Sequence, residues 1–235
     1  MKGNKLDNIP SEPSMASFLA FSVHDMKNSV SILIDGLEKT LASVDSVSFP
    51  AYDGLVQMNH EAKRINNNLV QLLTLYKLGQ QIYPFDPQSV SLNDLLQTIA
   101  AQNIELLKSR GIKLEIHVET DLYWHLDEDL VSGVVGNALN NAIRYTQDCI
   151  YLIAKENKGV LELRLEDNGE GYPDSVLQEN IDNMRSVDFQ NGNTGLGFYF
   201  SAIVARLHKN HDRLGEIKLE NGGHLGGACF MLHLP

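Results

Sequence analysis

Residues 19–44 read LAFSVHDMKNSVSILIDGLEKTLASV, and the spacing of their apolar side chains decides the architecture of the first third of the chain. Leu19, Val23, Met26, Val30, Leu33, Leu37 and Val44 follow one another in steps of four and three, with one longer interval around Leu41. That alternation keeps a narrow apolar stripe on one side of a long helix. The run SVDSVSFPAYDG (43–54) ends it, and a second stripe follows at Leu55, Met58, Ala62, Ile65, Leu69, Leu72 and Tyr76. Two such helices joined by a short turn form an antiparallel hairpin. A lone hairpin leaves part of each stripe wet, and pairing two hairpins into a four-helix bundle removes that surface from water at about 25 cal/mol per Å². The expectation is a homodimer through residues 14–80.

Outward from the hairpin the texture changes on both sides. Residues 1–13 are polar with Pro10 and Pro13 and read as a flexible leader. Residues 81–88, with Pro84 and Pro87, read as a linker. From residue 89 to 235 helical and alternating patterns mix. Helices are predicted near 91–109, 127–146 and 196–208, and strands at 112–118, 123–126, 149–156, 160–167, 215–220 and 227–234. Helices on a mostly antiparallel sheet make a two-layer α/β sandwich, so the chain is expected to be α+β in class.

Composition narrows the partners. The chain has 235 residues, 43% of them apolar, and a formal net charge of −11. Its average field repels polyanions, which argues against nucleic acid and against an anionic membrane surface. No apolar run approaches the roughly 18 to 20 residues of a membrane span, and the polar start lacks a secretory signal, so no membrane insertion is expected. Cys149 and Cys229 are the two cysteines, both in apolar strand-like runs, which fits buried thiols in a reducing, cytoplasmic setting.

Four segments carry chemistry. In FSVHDMKNSV (21–30), His24 and Asp25 lie beside the seam toward solvent, and Asn28 follows His24 by one helical turn. A neutral imidazole can attack phosphorus, and an adjacent carboxylate can fix its tautomer. In NALNNAIRYT (137–146), Asn137 and Asn141 share a helix face, as do Asn141 and Tyr145. A neutral amide oxygen suits Mg²⁺, a hard cation that takes few protein ligands, and Arg144 can offset phosphate charge. LEDNGEGYPD (165–174) ends an apolar strand at Asp167 and passes Gly169 and Gly171. A carboxylate there can accept a hydrogen bond from an exocyclic amine. GNTGLGFYFSAIVARLH (192–208) sends Gly195, Leu196 and Gly197 straight into an apolar helix, whose unpaired N-terminal amides make an anion site.

In this order and spacing the segments resemble the histidine kinase family: a phosphoacceptor box, an N box and two glycine boxes, within a dimerisation hairpin followed by an ATP-binding domain of the gyrase, Hsp90, kinase and MutL superfamily. The resemblance covers nearly the whole chain after residue 14. It implies that His24 is phosphorylated, that Asp25 acts as its base, and that Asn28 positions water to hydrolyse a response regulator's acyl phosphate. It implies that Asn141 ligates Mg²⁺ with Asn137 in support, and that Arg144 and Tyr145 lie near the nucleotide. Asp167 would read the adenine amine of ATP, Gly169 and Gly171 would line the base pocket, and the turn of Gly195, Leu196 and Gly197 would hold phosphates.

The chain departs from the family pattern in places. No proline stands two residues beyond Asn28, which fits the H-D-x-x-N subtype. The nucleotide lid, about 172–194, is short, with Phe189 as the candidate for its phenylalanine box, and Ala228 stands where many relatives carry threonine. The expected activity is autophosphorylation of His24 from Mg-ATP, then transfer to an aspartate of a response regulator receiver domain on another protein. A separate sensor protein is an expected partner. Two competing readings are a scaffold with a degenerate ATP site, separable by nucleotide titration, and a serine kinase antagonising a sigma factor, separable by the acid and base stability of its phosphoprotein.

Overall fold

The computed structural model describes residues 15–45, 49–178 and 195–235. Helix α1 (Met15–Ser43) runs unbroken, and α2 (Tyr52–Gly79) returns beside it. Polar ties fix their pairing: Lys63 meets Glu38 at 2.7 Å, and the Ser17 and Tyr76 hydroxyls lie 3.4 Å apart. The two sequence stripes each divide in half. Val23, Val30, Leu37, Leu55, Ala62, Leu69 and Tyr76 are half-buried between the helices. The alternate members Leu19, Met26, Leu33, Met58, Ile65 and Leu72 face out, with Leu33 62% and Met58 61% exposed. The seam is therefore one half hairpin core and one half uncovered apolar face.

After the hairpin, residues 80–87 lead into strand β1 (Gln88–Ser91). Next come α3 (Leu92–Ala101), α4 (Ile104–Ser109), β2 (Lys113–Val118), β3 (Tyr123–Leu126) and α5 (Glu128–Tyr145). Strands β4 (Cys149–Asn157) and β5 (Val160–Asp167) follow, then the short α6 (Asp174–Gln178) and α7 (Leu196–Leu207). A two-stranded pair, β6 (Lys209–Asn210) with β7 (Arg213–Leu214), precedes β8 (Glu216–Asn221) and β9 (Ala228–Leu234).

The main sheet has the order β2-β4-β5-β9-β8 and is antiparallel except for the β2–β4 pair. Two features correct the sequence expectation. The single helix predicted over 91–109 is two, interrupted near Asn103, whose side chain bonds the Ile99 carbonyl at 2.9 Å instead of facing water. The strand predicted at 123–126 lies outside the main sheet, paired with β1.

One face of the sheet is apolar and covered by helices. Leu161, Leu163 and Leu165 of β5 alternate inward with period two, beside Ile150, Leu152, Phe230 and Leu232. Helix α5 lays Leu130, Val134, Leu139 and Ile143 on this layer, and α3 adds Leu92, Leu95, Leu96 and Ile99. The other face carries Glu162, Arg164 and Glu166. Arg164 reaches Glu166 at 2.7 Å, Glu162 at 3.4 Å and Glu220 at 3.6 Å.

Candidate functional site

On α1 the His24 side chain is 58% exposed. Its Nδ1 stands 3.4 Å from the Asn28 amide nitrogen and 3.7 Å from an Asp25 carboxylate oxygen. These neighbours ask for opposite tautomers. An amide donating to bare Nδ1 leaves the proton on Nε2, whereas a carboxylate drawing on Nδ1–H leaves the Nε2 lone pair free. Only the second arrangement makes Nε2 a nucleophile, and Asp25 needs only a small rotation to come within hydrogen-bond distance.

In the second half of the chain the inward row of β5 ends in a carboxylate, because Asp167 occupies the position after Leu161, Leu163 and Leu165. It is 3% exposed. Its Oδ1 accepts from the backbone N–H groups of Gly169 at 2.8 Å and Ala228 at 3.3 Å. Burial pushes its carboxyl above the ordinary range, against the pull of those two donors. Oδ2 takes no part in either bond.

Helix α5 begins at Asp127, whose carboxylate caps Leu130 N–H at 3.1 Å, and presents Asn137 and Asn141, both half-buried, away from its apolar face. Helix α7 packs on it antiparallel. A Cβ on Gly133 would come 3.2 Å from Phe200, and one on Gly197 would overlap the Asn137 amide. Gly195 caps α7 with φ +58°, a left-handed conformation that glycine adopts without a steric penalty. The fold thus brings Asn137 to the opening of α7, where amides lack helical partners.

Gly169 lies against the carbonyl of Tyr145, joining the end of α5 to the Asp167 turn. Gly171, at φ +84°, faces the Asn221 side chain instead. Arg144 and Tyr145 are exposed, with the guanidinium 5.4 Å over the neighbouring ring. Phe189, Gly192 and all but the first residues of the expected lid lie outside the described residues, as does the leader.

Two asparagines that the sequence reading passed over organise this end of the sheet. Asn168 Oδ1 accepts from the Thr146 hydroxyl at 2.8 Å and from the N–H groups of Gln147, Asp148 and Cys149 at 3.1–3.2 Å. It clamps the turn after α5 to the end of β5. Asn221 pairs with both backbone groups of Tyr172, accepting at 2.7 Å and donating at 2.9 Å. Their sequence signal is an Asx residue at a strand end, which is ordinary turn chemistry.

A cavity of about 650 Å³ opens between α2 and the helical layer of the second half, lined by residues including His60, Gln71, Asn140 and Phe200. It holds none of the residues expected to bind nucleotide. Gln71 is 4% exposed, and its Oε1 has no partner among the described residues. No helix among them is long and apolar enough to cross a membrane.

The chain is similar to several known proteins. Residues 126–235 match the family of histidine kinase-, DNA gyrase B-, and HSP90-like ATPases. The sensor protein SrrB of Staphylococcus aureus is 25% identical over 231 residues, covering 93% of this chain. The chain spans 37% of that relative's length. Among solved structures, the Acinetobacter baumannii histidine kinase AdeS superposes with a TM-score of 0.58 at 17% identity, over 90% of this chain and 96% of that one. Full-length ShkA, solved in complex with AMPPNP, gives 0.63 at 17% identity, over 95% of this chain and 46% of that one. Residues 126–235 thus match the model of this ATPase family, and together with the helical hairpin ahead of them they share the fold of solved histidine kinases over nearly the whole chain.

Proposed function

We propose that this chain is a protein-histidine kinase of a two-component system that phosphorylates His24 from Mg-ATP. The reading divides it into a leader (1–13), a dimerisation and phosphotransfer hairpin (14–80), a linker (81–88) and a catalytic domain (89–235). ATP sits between α5 and α7, with Asp167 Oδ2 accepting from the adenine amine and Asn141, aided by Asn137, holding Mg²⁺. Gly169 and Gly171 flank the base, the turn of Gly195, Leu196 and Gly197 receives the phosphates, and Arg144 and Tyr145 border them. The side-chain amide oxygens of Asn137 and Asn141 would suit Mg²⁺, a hard cation, and the free N–H groups at the opening of α7 would suit phosphate.

Nε2 of His24 attacks the γ-phosphorus, an N–P bond forms, the bond to the bridging oxygen breaks, and ADP leaves. Asp25 holds the Nδ1 proton and supports the charge that grows on the ring. The chain's own contribution is positioning and charge neutralisation. The phosphoryl group then passes to an aspartate of a response regulator, and Asn28 orients water when that acyl phosphate is hydrolysed. The exposed halves of the two stripes are the surface on which a second hairpin closes the bundle. A cytoplasmic setting and a separate sensor protein complete the proposal.

The observation that carries this reading is the His24 ring, exposed on α1 with both polar neighbours on its Nδ1 side and Nε2 clear of them. Incubation with γ-labelled Mg-ATP tests it. Wild-type protein is expected to acquire an acid-labile, base-stable label, and His24→Ala to lose it while still binding ADP. Undiminished labelling of His24→Ala refutes the assignment.

A further inference from the structure

Helices α5 and α7 meet at two ends. At one end Gly197 lies against Asn137, within the site proposed for nucleotide. At the other, the backbone N–H of Asp127, the residue that caps α5, donates to Nε2 of His208 at 2.9 Å. His208 is the residue that closes α7, and its other ring nitrogen lies 2.8 Å from the Val204 carbonyl. That pair fixes the tautomer, with the proton on Nδ1 and the lone pair on Nε2. From Asp127 to Asn137 is ten residues and from Gly197 to His208 eleven, so each helix covers about 15 Å between the two meeting points. A bond at the far end therefore sets the register at the near end.

The segment leaving the hairpin grips this same far end. The Tyr83 hydroxyl donates to Asp127 Oδ1 at 3.3 Å, and the Asp86 N–H donates to Oδ2 at 3.3 Å. Phe85 meets the His208 ring edge to face, centroids 5.1 Å apart. Asp127 and His208 are both about nineteen-twentieths buried, so these bonds are shielded from competing water. Three groups from one short segment converge on two residues that touch no expected nucleotide atom.

We propose that His208 and Asp127 are positioning residues for the nucleotide site, holding α5 and α7 in register and tying that register to the linker through Tyr83. The proposal rests on the nucleotide-binding reading given above. Its action is indirect: the junction sets the distance between Asn137 and the opening of α7, and the linker's grip makes that distance responsive to the hairpin.

A pair of substitutions isolates the bond. In His208→Gln the side-chain oxygen stands where Nε2 did and still accepts from Asp127, whereas His208→Asn keeps a group near Nδ1 and loses the acceptor. Mg-ADP binding is measured by calorimetry on the full chain at a temperature where circular dichroism shows each protein folded. His208→Asn is expected to weaken binding roughly tenfold, and His208→Gln to stay within about threefold of wild type, since small misplacements of positioning groups have large effects. Equal affinities for the two variants overturn the proposal. Should both variants fail to fold, Tyr83→Phe decides, with a shift of about threefold or more supporting the linkage and an unchanged affinity overturning it. Absence of ADP binding by the wild-type protein removes the nucleotide reading itself, an outcome distinct from the others.

Discussion

Gly197 lies so close to the Asn137 side chain that one methyl group on its Cα would overlap the amide. Gly197→Ala is expected to displace Asn137 and weaken Mg-ADP binding by roughly tenfold or more, by the same sensitivity to misplacement. Helix α7 should persist, because alanine is the better helix former. Calorimetric titration with circular dichroism checks both halves, and unchanged affinity would show that the amide has room to move.

Asp167 offers a pH test. Its raised carboxyl pKa means that the unliganded fold favours the protonated form. Its contribution to stability is present below the ordinary carboxylate value and is lost as pH rises through the raised one. An adenine amine donating to the carboxylate favours the anion, so binding releases a proton. ADP affinity should climb as pH rises out of the ordinary carboxylate range and through the raised value, then level off. Asp167→Asn should bind weakly with a flat profile, and a flat profile in the wild type would detach Asp167 from the base.

Asn168→Ala removes the acceptor shared by three backbone N–H groups and the Thr146 hydroxyl. The turn is partly open to water, which replaces some of those bonds. The expected cost is about 1–3 kcal/mol of stability. Thermal unfolding should show a midpoint lowered by several degrees, and a shift inside experimental error contradicts the clamp.

The uncovered stripe on the hairpin gives a prediction about assembly. Ile65 and Leu72 are among its exposed members. A carboxylate placed among apolar side chains in a closed bundle is heavily penalised. Ile65→Glu is therefore expected to convert a dimer to a monomer in sedimentation velocity, with the helix content of the chain little changed. A wild-type monomer at micromolar concentration would rule the proposed bundle out.

The hairpin and the main sheet were legible because their side-chain periods are long and regular. The inward row Leu161, Leu163, Leu165 announces β5 as clearly as Leu55, Ala62 and Leu69 announce α2. The break between α3 and α4 was not, since no glycine or proline marks it and an asparagine's local bond decides the matter. Strand β1 and the β6–β7 pair are four and two residues long, too short for any period to register.

Candidate residues stood out where a polar type interrupted an apolar pattern, as Asn137 and Asp167 do. Asp127 and His208 gave no such sign. Asp127 reads as an ordinary helix cap, and His208 joins it across a sequence distance that no local pattern spans.

The sheet's uncovered side has a consequence for traffic between molecules. Arg164 is wired among Glu162, Glu166 and Glu220, one cation among three carboxylates, on the sheet face opposite the described helices α3 and α5. Another sheet stacking there would meet net negative charge and would have to strip water from the half-exposed Glu220 without offering it a partner in return. That side is thereby ill suited to sheet-on-sheet stacking between copies of the chain.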